Sequence, residues 1–365
     1  MTNGWSPPDA PASWRLTAAL FQLIADHDEL LDRLTELPPG RLPALLASAA
    51  ISFLVRRDHP QGLAVYWPEP GKPQPAFDDG FEPAARDFVS RRLDQIAELC
   101  ARHRYQMNEV ARCTQIALGV TAMSAAQAEP IAFIDLGTGS GLGLQLDRYG
   151  YQVGAQPPGT DATLTLDCQL RGERQPPVVR LPPIAERAGI ELNPVDLTDA
   201  GARAWLVACT PPESSALTRL TAAVAVARQH PARIVAGDVV AELPAVLDAL
   251  PPERHVVVSD AYLAVFLPRR DRAELISILT RAARSRRVTW LSLDPLIPLG
   301  PTGRDSVQDI ALPQSLICEY QERGVFALLS VRAFAADAVS QARILARAHP
   351  SGQWIEWMDT PTDIR

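Results

Sequence analysis

The chain has 365 residues, a formal net charge of -7 at pH 7 and a hydrophobic fraction of 47%. This length allows a large core and more than one domain. The negative charge argues against a nucleic-acid-binding protein, which needs a basic face, and no apolar run is long enough to cross a bilayer.

The cysteines and histidines narrow the class of protein further. The five cysteines are scattered without a C-x-x-C pair, and the six histidines lack the spacing typical of metal ligands. The polar, proline-rich start contains no apolar signal core. We therefore expect a cytoplasmic protein with free thiols, no metal site and no membrane contact. The sequence does not indicate its oligomeric state.

The first third of the chain has a helical pattern, and we predict a helical N-terminal domain over residues 1–128. Ser13 has the side chain of an N-cap for the first helix. Residues 58–80 are rich in proline, glycine and aspartate and are predicted to form a long connection. The predicted helices are Trp14–Ala25, Asp28–Leu37, Leu42–Val55, Pro83–Arg104 and Tyr105–Ala126.

Polar residues open the last of these predicted helices at helical spacing. Such a polar stripe, ahead of an apolar segment, needs either protein partners or a ligand. The alternative is a solvated face with an internal Glu109–Arg112 pair, and the residues alone leave both interpretations open. The stripe occupies positions i, i+3, i+4 and i+7 of one helical face: Tyr105, Asn108, Glu109 and Arg112.

The most informative stretch of the sequence is an apolar run followed by a glycine-rich loop. This pattern is typical of a buried parallel strand, a tight turn and a helix, predicted here over Leu142–Tyr149. Glycines let the backbone approach a ligand closely, although a plain strand-to-helix turn has the same composition. The spacing fits G-x-G-x-x-G, the NAD fingerprint, poorly. The loop reads Asp135-Leu136-Gly137-Thr138-Gly139-Ser140-Gly141.

A second acid follows at the distance expected after an inserted segment. Residues 163–170 alternate polar and apolar side chains, and residues 149–153 precede them as a second strand. Together they predict an antiparallel β-hairpin, over about 149–172, inserted into the main fold. The run Glu191-Leu192-Asn193-Pro194 then looks like the end of the second strand. A carboxylate at the end of the second strand can accept hydrogen bonds from two hydroxyl groups of a ribose. Glu191 fits this position best, and Asp196 is the alternative.

Two further strand ends carry polar residues. Residues 232–238 are predicted to be the third strand, ending at Asp238, whose carboxylate could accept an adenine amino group. His255–Asp260 is the fourth strand, and its end, Ser259 to Tyr262, would lie beside the reactive end of a ligand held by the glycine loop. We predict a fifth strand over 287–294 and a possible lid over 295–313.

The alternation of strands and helices predicts an α/β fold, with a doubly wound, mostly parallel, seven-stranded sheet in residues 129–365. Its last two strands are predicted over 325–334 and 353–358.

Three features together resemble class I S-adenosylmethionine (SAM)-dependent methyltransferases: Asp135-x-Gly137-x-Gly139-x-Gly141, Glu191-Leu192-Asn193-Pro194 and Gly237-Asp238. More narrowly, the chain resembles a family of bacterial proteins described only as a domain of unknown function. That resemblance covers nearly the whole chain. Its specific pieces include Gln106-x-Asn108-Glu109-x-x-Arg112-Cys113, Leu192-Asn193-Pro194-Val195-Asp196 and Leu345-Ala346-Arg347-Ala348-His349-Pro350.

The resemblance implies a methyltransferase-like fold that binds SAM, with the helix before the first strand covering the cofactor. Arg112 would then pair with the methionyl carboxylate. The implied cofactor-binding residues are Gln106, Arg112, Asp135, Gly137, Thr138, Gly139, Gly141, Glu191, Asn193, Asp196, Asp238, Val239 and Ser259. The candidate catalytic residues are Tyr105, Asn108, Glu109, Asp260 and Tyr262.

Three functions follow from this interpretation. The first is a SAM-dependent transferase, a methyltransferase of specialised metabolism acting on a small molecule. The second keeps SAM but breaks the bond to its aminobutyryl chain, by cyclisation or by aminocarboxypropyl transfer, and releases methylthioadenosine. The third is a SAM-binding sensor or partner module without catalysis.

Overall fold

The computed structural model describes residues 14–124, 129–156, 162–299, 303–323, 326–335, 338–339 and 342–358. The chain forms two compact units, one of residues 1–109 and 195–224 and one of residues 110–194 and 225–365. We call them the helical unit and the sheet unit. The predicted N-cap Ser13 lies outside the described residues, and the predicted domain boundary at residue 128 remains a prediction.

The helical unit confirms most of the predicted helices. Its core is formed by apolar side chains such as Leu20, Ile51, Leu54 and Ile96, all of which are buried. The helix around Ile51 is buried along most of its length, as its nearly continuous apolar sequence predicts. Its helices are α1 (Arg15–Ala25), α2 (Asp28–Thr35), α3 (Pro43–Asp58), α4 (Phe81–Arg102) and α6 (Ala200–Cys209), and α7 (Ser214–Gln229) begins in it.

The predicted helix over Tyr105–Ala126 is wrong in its first part. Residues 103–109 are not helical, residues 110–112 form a 3-10 turn, and helix α5 spans Cys113–Ser124. Tertiary contacts replace the helical hydrogen bonds of this segment: the Trp205 indole donates to the Arg104 carbonyl at 2.9 Å, and the His103 ring stacks on Trp205 at 4.1 Å. The polar stripe therefore does not lie on one helical face.

The sheet unit contains an 11-stranded sheet in its described residues, so the predicted count of seven strands is wrong. The strand order is β2-β3-β13-β12-β10-β7-β6-β1-β4-β5, with β11 paired to β10. The strands are β1 (Ile131–Leu136), β2 (Gly150–Val153), β3 (Thr165–Arg171), β4 (Ile184–Glu191), β5 (Arg233–Ala236), β6 (His255–Ala261), β7 (Val288–Pro295), β10 (Ala327–Ala335), β11 (Ala338–Val339), β12 (Arg343–Ala348) and β13 (Trp354–Trp357).

Strands β5, β4, β1, β6 and β7 are neighbours and all run parallel. This is the 3-2-1-4-5 part of a doubly wound sheet. The remaining strands extend it with a different connectivity, because β10 is antiparallel to β7 and to β12, and β12 is antiparallel to β13. Strands β8 (Ile297–Leu299) and β9 (Gly303–Asp305) form a small separate pair within the predicted lid segment.

The predicted antiparallel hairpin over residues 149–172 is also wrong. Strand β2 pairs with β3 in parallel, Gly150 opposite Thr165, and β3 pairs in parallel with the distant β13. Alternation along β3 identified it correctly as a strand with one buried face. The direction of β3 in the sheet depends on its pairing with β13, which is far from β3 in sequence. The local residue pattern does not encode this pairing.

Helices cover both faces of the parallel strands. On one face, Trp290 of β7 packs in a cluster with side chains of α8 (Val239–Asp248) and α9 (Arg269–Ala282). On the other face, α5 approaches the sheet so closely that a Cβ on Gly119 would lie 3.0 Å from the Leu291 side chain. A helix that was not predicted, α10 (Gln314–Arg323), precedes β10. Within the described residues, no helix combines the length and apolar character needed to cross a bilayer.

Candidate functional site

The candidate site lies where the chain order of the parallel strands reverses. After β1 the chain first forms β2 and β3 at the far edge of the sheet. It then forms β4 and β5 on one side of β1, and afterwards β6 and β7 on the other side. The carboxyl ends of these strands share one edge of the sheet, and ligands of such sheets bind in the crevice at this reversal. The glycine loop after β1 leaves the sheet at that point.

The glycine loop has a backbone that only glycine adopts readily. Gly137, Gly139 and Gly141 have φ values of 66°, 60° and 77°. A Cβ at Gly137 would lie 3.2 Å from the Leu263 side chain, so the loop is also closely packed. The segment after the loop is a 3-10 helix over Gly143–Arg148, in place of the predicted helix Leu142–Tyr149.

Asp135 links the loop to the neighbouring strand β6. The Ser259 hydroxyl donates to Asp135 Oδ1 at 2.8 Å. Burial raises the pKa of Asp135 to about 6, although the nearby Thr138 hydroxyl and the hydrogen bond from Ser259 oppose this shift. A Cβ on Gly143 would come within 2.7 Å of Asp135 Oδ2, so the glycine at 143 makes room for the carboxylate.

Thr138 is buried, and its methyl group packs on the β4 backbone. A Cβ on Gly189 would lie 2.4 Å from Thr138 Cγ2. Its side chain therefore shapes the loop from within the protein, together with Asp135.

Glu191, the last residue of β4, contacts the glycine loop directly. Its Oε2 accepts a hydrogen bond from the Gly139 N–H at 3.0 Å, and its Oε1 accepts one from the Asn193 N–H at 3.0 Å. The side chain is partly exposed. A carboxylate has about four lone-pair sites, so Glu191 has the capacity to accept two further hydroxyl groups.

Asp238 follows β5 and is the N-cap of helix α8. Its Oδ1 accepts hydrogen bonds from the Val240 and Ala241 N–H groups, at 2.9 and 3.1 Å. Its neighbour Val239 is buried in the core, so only the backbone of Val239 can approach a ligand. The cap fixes Asp238 at the edge of the sheet, two strands from the glycine loop.

Asp260 near the end of β6 is fully buried. Its carboxyl accepts hydrogen bonds from the Trp290 indole at 2.7 Å and from the Ala264 N–H at 3.2 Å. Asp294 of β7 accepts from the Val265 N–H at 3.1 Å and from the Ser292 hydroxyl at 2.8 Å. Burial and the neighbouring Asp294 raise the pKa of Asp260 well above its usual range. The two acids thus form a buried pair that fixes the turn after β6.

Tyr262 in that turn contacts Arg112 from the segment before α5. Tyr262 has a left-handed backbone with φ 65°, and the Arg112 guanidinium carbon lies 4.0 Å from the centre of its ring. Arg112 is buried, and its Nε donates to the Pro350 carbonyl at 2.7 Å. The structure therefore joins two motifs that are far apart in sequence, the one ending at Arg112 and the one ending at Pro350.

The other residues of the predicted site lie in the helical unit. The Tyr105 hydroxyl donates to the Cys209 carbonyl at 2.8 Å, and Glu109 forms an ion pair with Arg219 at 3.3 Å. Asp196 accepts hydrogen bonds from both the N–H and the hydroxyl of Thr198. Gln106 and Asn108 belong to the same non-helical segment as Tyr105.

Sequence reasoning missed Asp294, Trp290 and Leu263. Asp294 and Asp260 are each the last but one residue of an apolar strand. This shared position could have identified Asp294 from the sequence. No local pattern indicated that Leu263 covers Gly137. Within the described residues, no group of three potential metal ligands is present.

The chain was compared with known proteins. No curated protein matches it. A structural match is the plantazolicin methyltransferase BamL, solved in complex with a triazolic desmethylPZN analog and SAH. It is 13% identical, with a TM-score of 0.25, and the match covers 70% of this chain and 59% of that chain. A likeness of this TM-score carries no information on function.

The family match is much broader. The family described as "Uncharacterized protein conserved in bacteria (DUF2332)" matches residues 9–357. This range includes the motif ending at Arg112, the glycine loop, Glu191 and the tail motif ending at Pro350. The chain therefore belongs to this bacterial family.

Proposed function

We propose that the protein is a SAM-dependent transferase, and that it transfers a methyl group to a small molecule of specialised metabolism. The observation that carries this proposal is the contact between Glu191 and the Gly139 N–H. This contact joins a strand-end carboxylate, the kind of group that binds ribose hydroxyls, to a glycine-rich loop of the kind that binds cofactors. The two lie at the ends of adjacent parallel strands. An adenosine-bearing cofactor needs both features side by side.

The residues at the ends of neighbouring strands would contact successive parts of such a cofactor, in the spatial order of the strands. Glu191 would accept the ribose hydroxyls, and Asp238 would accept the adenine amino group at the edge of β5. Gly137 and Gly139 would receive the methionyl part, because a glycine without a Cβ lets the backbone approach a ligand closely. Arg112 would pair with the methionyl carboxylate. The cofactor would then extend from β5 towards β6.

The chemistry supplied by bound SAM is an electrophilic carbon attached to a sulfonium. The residues near the end of β6 are poorly suited to act as a base. Asp260 is buried with a raised pKa, and burial also raises the pKa of the Tyr262 phenol. The chain would therefore act by orienting the acceptor and excluding water, with an acceptor that needs no strong base.

A binding measurement followed by a product assay tests the proposal. Isothermal titration with SAM, S-adenosylhomocysteine and NADH should show binding of the first two and none of NADH. Lack of binding of both sulfur ligands at high micromolar concentration would contradict the proposal.

The product separates the kinds of chemistry. The protein is incubated with SAM carrying a deuterated methyl group and a small-molecule extract, and the products are analysed by mass spectrometry. S-adenosylhomocysteine with a labelled acceptor supports methyl transfer. Methylthioadenosine indicates attack on the aminobutyryl chain, and binding without turnover indicates a sensor.

A further inference from the structure

Tyr262 has a left-handed backbone conformation, with φ 65°, which is unfavourable for a tyrosine. A left-handed backbone is uncommon for a bulky residue and strains the chain. Its N–H donates to the Leu293 carbonyl at 2.9 Å, and the Asp260–Asp294 pair fixes the following turn. The surrounding structure therefore holds Tyr262 in this position against its own preference.

The hydroxyl of Tyr262 is buried and has no hydrogen-bond partner among the described residues. A buried hydroxyl without a partner has lost its hydrogen bonds to water and gained none in return, so buried tyrosine hydroxyls usually have a partner. Tyr151 in the same unit shows the usual arrangement, since its hydroxyl donates to the Leu146 carbonyl. A ligand atom would supply the partner that the protein does not give to Tyr262.

The surroundings of Tyr262 favour a donating phenol next to a positive charge. Burial raises the pKa of its phenol; Arg112 opposes this shift, and Asp294 and Tyr320 add to it. The hydroxyl therefore stays protonated and donates. The Arg112 guanidinium lies over the ring. The carboxyl groups of Asp260 and Asp294 already accept hydrogen bonds from four protein donors. Arg112 is therefore the charged group that a ligand at Tyr262 would contact, and a guanidinium favours an anionic ligand.

The position of Tyr262 along the sheet indicates which part of the cofactor it would contact. It follows β6, on the opposite side of β1 from Glu191. With the ribose at Glu191, the aminobutyryl end of SAM would extend past the glycine loop towards β6. Its carboxylate is the one anionic group of SAM.

We propose that the Tyr262 hydroxyl donates a hydrogen bond to the aminobutyryl carboxylate of SAM, beside the Arg112 guanidinium. Tyr262 is then a cofactor-binding residue and not a general base. This inference rests on the proposed SAM-binding function.

The test compares Tyr262→Phe with Tyr151→Phe, two variants that each lose a single buried hydroxyl. Affinities for S-adenosylhomocysteine and for methylthioadenosine, which lacks the carboxylate, are measured by calorimetry together with melting temperatures. For Tyr262→Phe we expect about 10-fold weaker S-adenosylhomocysteine binding, unchanged methylthioadenosine binding and no loss of melting temperature. For Tyr151→Phe we expect a lower melting temperature and unchanged affinities.

The outcomes separate this inference from the function on which it rests. If the wild-type protein binds S-adenosylhomocysteine and Tyr262→Phe binds it equally well, the carboxylate contact is overturned while SAM binding stands. An equal loss for both ligands also overturns it, because the hydroxyl would then act on the shared adenosine. If the wild-type protein binds neither ligand, the proposed function and the inference fail together.

Discussion

Two acids near the ends of parallel strands, Glu191 on β4 and Asp260 on β6, have similar sequence contexts and different surroundings. Glu191 is partly exposed and bonds to two backbone N–H groups, one of them in the glycine loop. Asp260 is fully buried beside Asp294 and bonds to the Trp290 indole. In the proposed function the first acid accepts the ribose hydroxyls, whereas the second fixes the turn that carries Tyr262.

The difference shows that an acid ending an apolar strand is not by itself a binding residue. What distinguishes the two carboxylates is the number of protein donors around them and their access to solvent. Both act on the same site in this account: Glu191 through direct contact, Asp260 through the backbone of the next residues.

The largest effect is expected for Gly137→Val, which should abolish SAM binding. Gly137 has φ 66°, and a Cβ there would lie 3.2 Å from Leu263, so valine would both strain the loop backbone and push the loop away from Leu263. Calorimetry with SAM and far-UV circular dichroism measure binding and fold.

Gly62→Val is the matched control for this strain. Gly62 also has a left-handed backbone, with φ 81°, but a Cβ there meets nothing within 4 Å. It should retain SAM binding. Full binding by Gly137→Val would contradict the proposed approach of the loop backbone to the ligand.

A smaller effect, on stability, is expected for Asp260→Asn. The folded pKa of Asp260 is raised above its unfolded value of about 3.9, so its stabilising contribution is complete below that pH and is lost as pH rises through the folded pKa. The asparagine does not titrate. The difference in unfolding free energy, wild type minus variant, should therefore fall as pH rises from 5 to 8.

Urea unfolding at a series of pH values measures this difference, and groups that titrate alike in both proteins cancel. A difference that stays constant or grows with pH would contradict the raised pKa of the buried Asp260.

The sequence predicted the parts of the molecule that are encoded locally. The apolar runs of β1, β6 and β7 and the glycine loop are continuous in sequence, and their positions were predicted within one or two residues. Each parallel strand had to end near a polar residue, which identified Glu191 and Asp238 as strand-end acids.

The remaining features depend on distant partners. Asp260 accepts a hydrogen bond from the indole of Trp290, which lies 30 residues later in the chain. The sequence of β6 alone therefore does not reveal that Asp260 is buried. The direction of β3 is fixed by its neighbour β13. Residues 103–109 have helical spacing, but contacts with Trp205 and Cys209 hold them in another conformation. Local periodicity predicts these elements only where tertiary contacts agree with it.

The most direct test of the central claim measures S-adenosylhomocysteine affinity in Glu191→Gln and Glu186→Gln by calorimetry. Glu186 lies on the same strand as Glu191 but forms an ion pair with Arg254 at 2.8 Å, so it controls for loss of charge on β4. We predict that Glu191→Gln weakens binding about 10- to 100-fold, the scale of a lost charged hydrogen bond, and that Glu186→Gln binds like wild type. Wild-type affinity in Glu191→Gln, or equally weakened binding in Glu186→Gln, would contradict a ribose contact of Glu191.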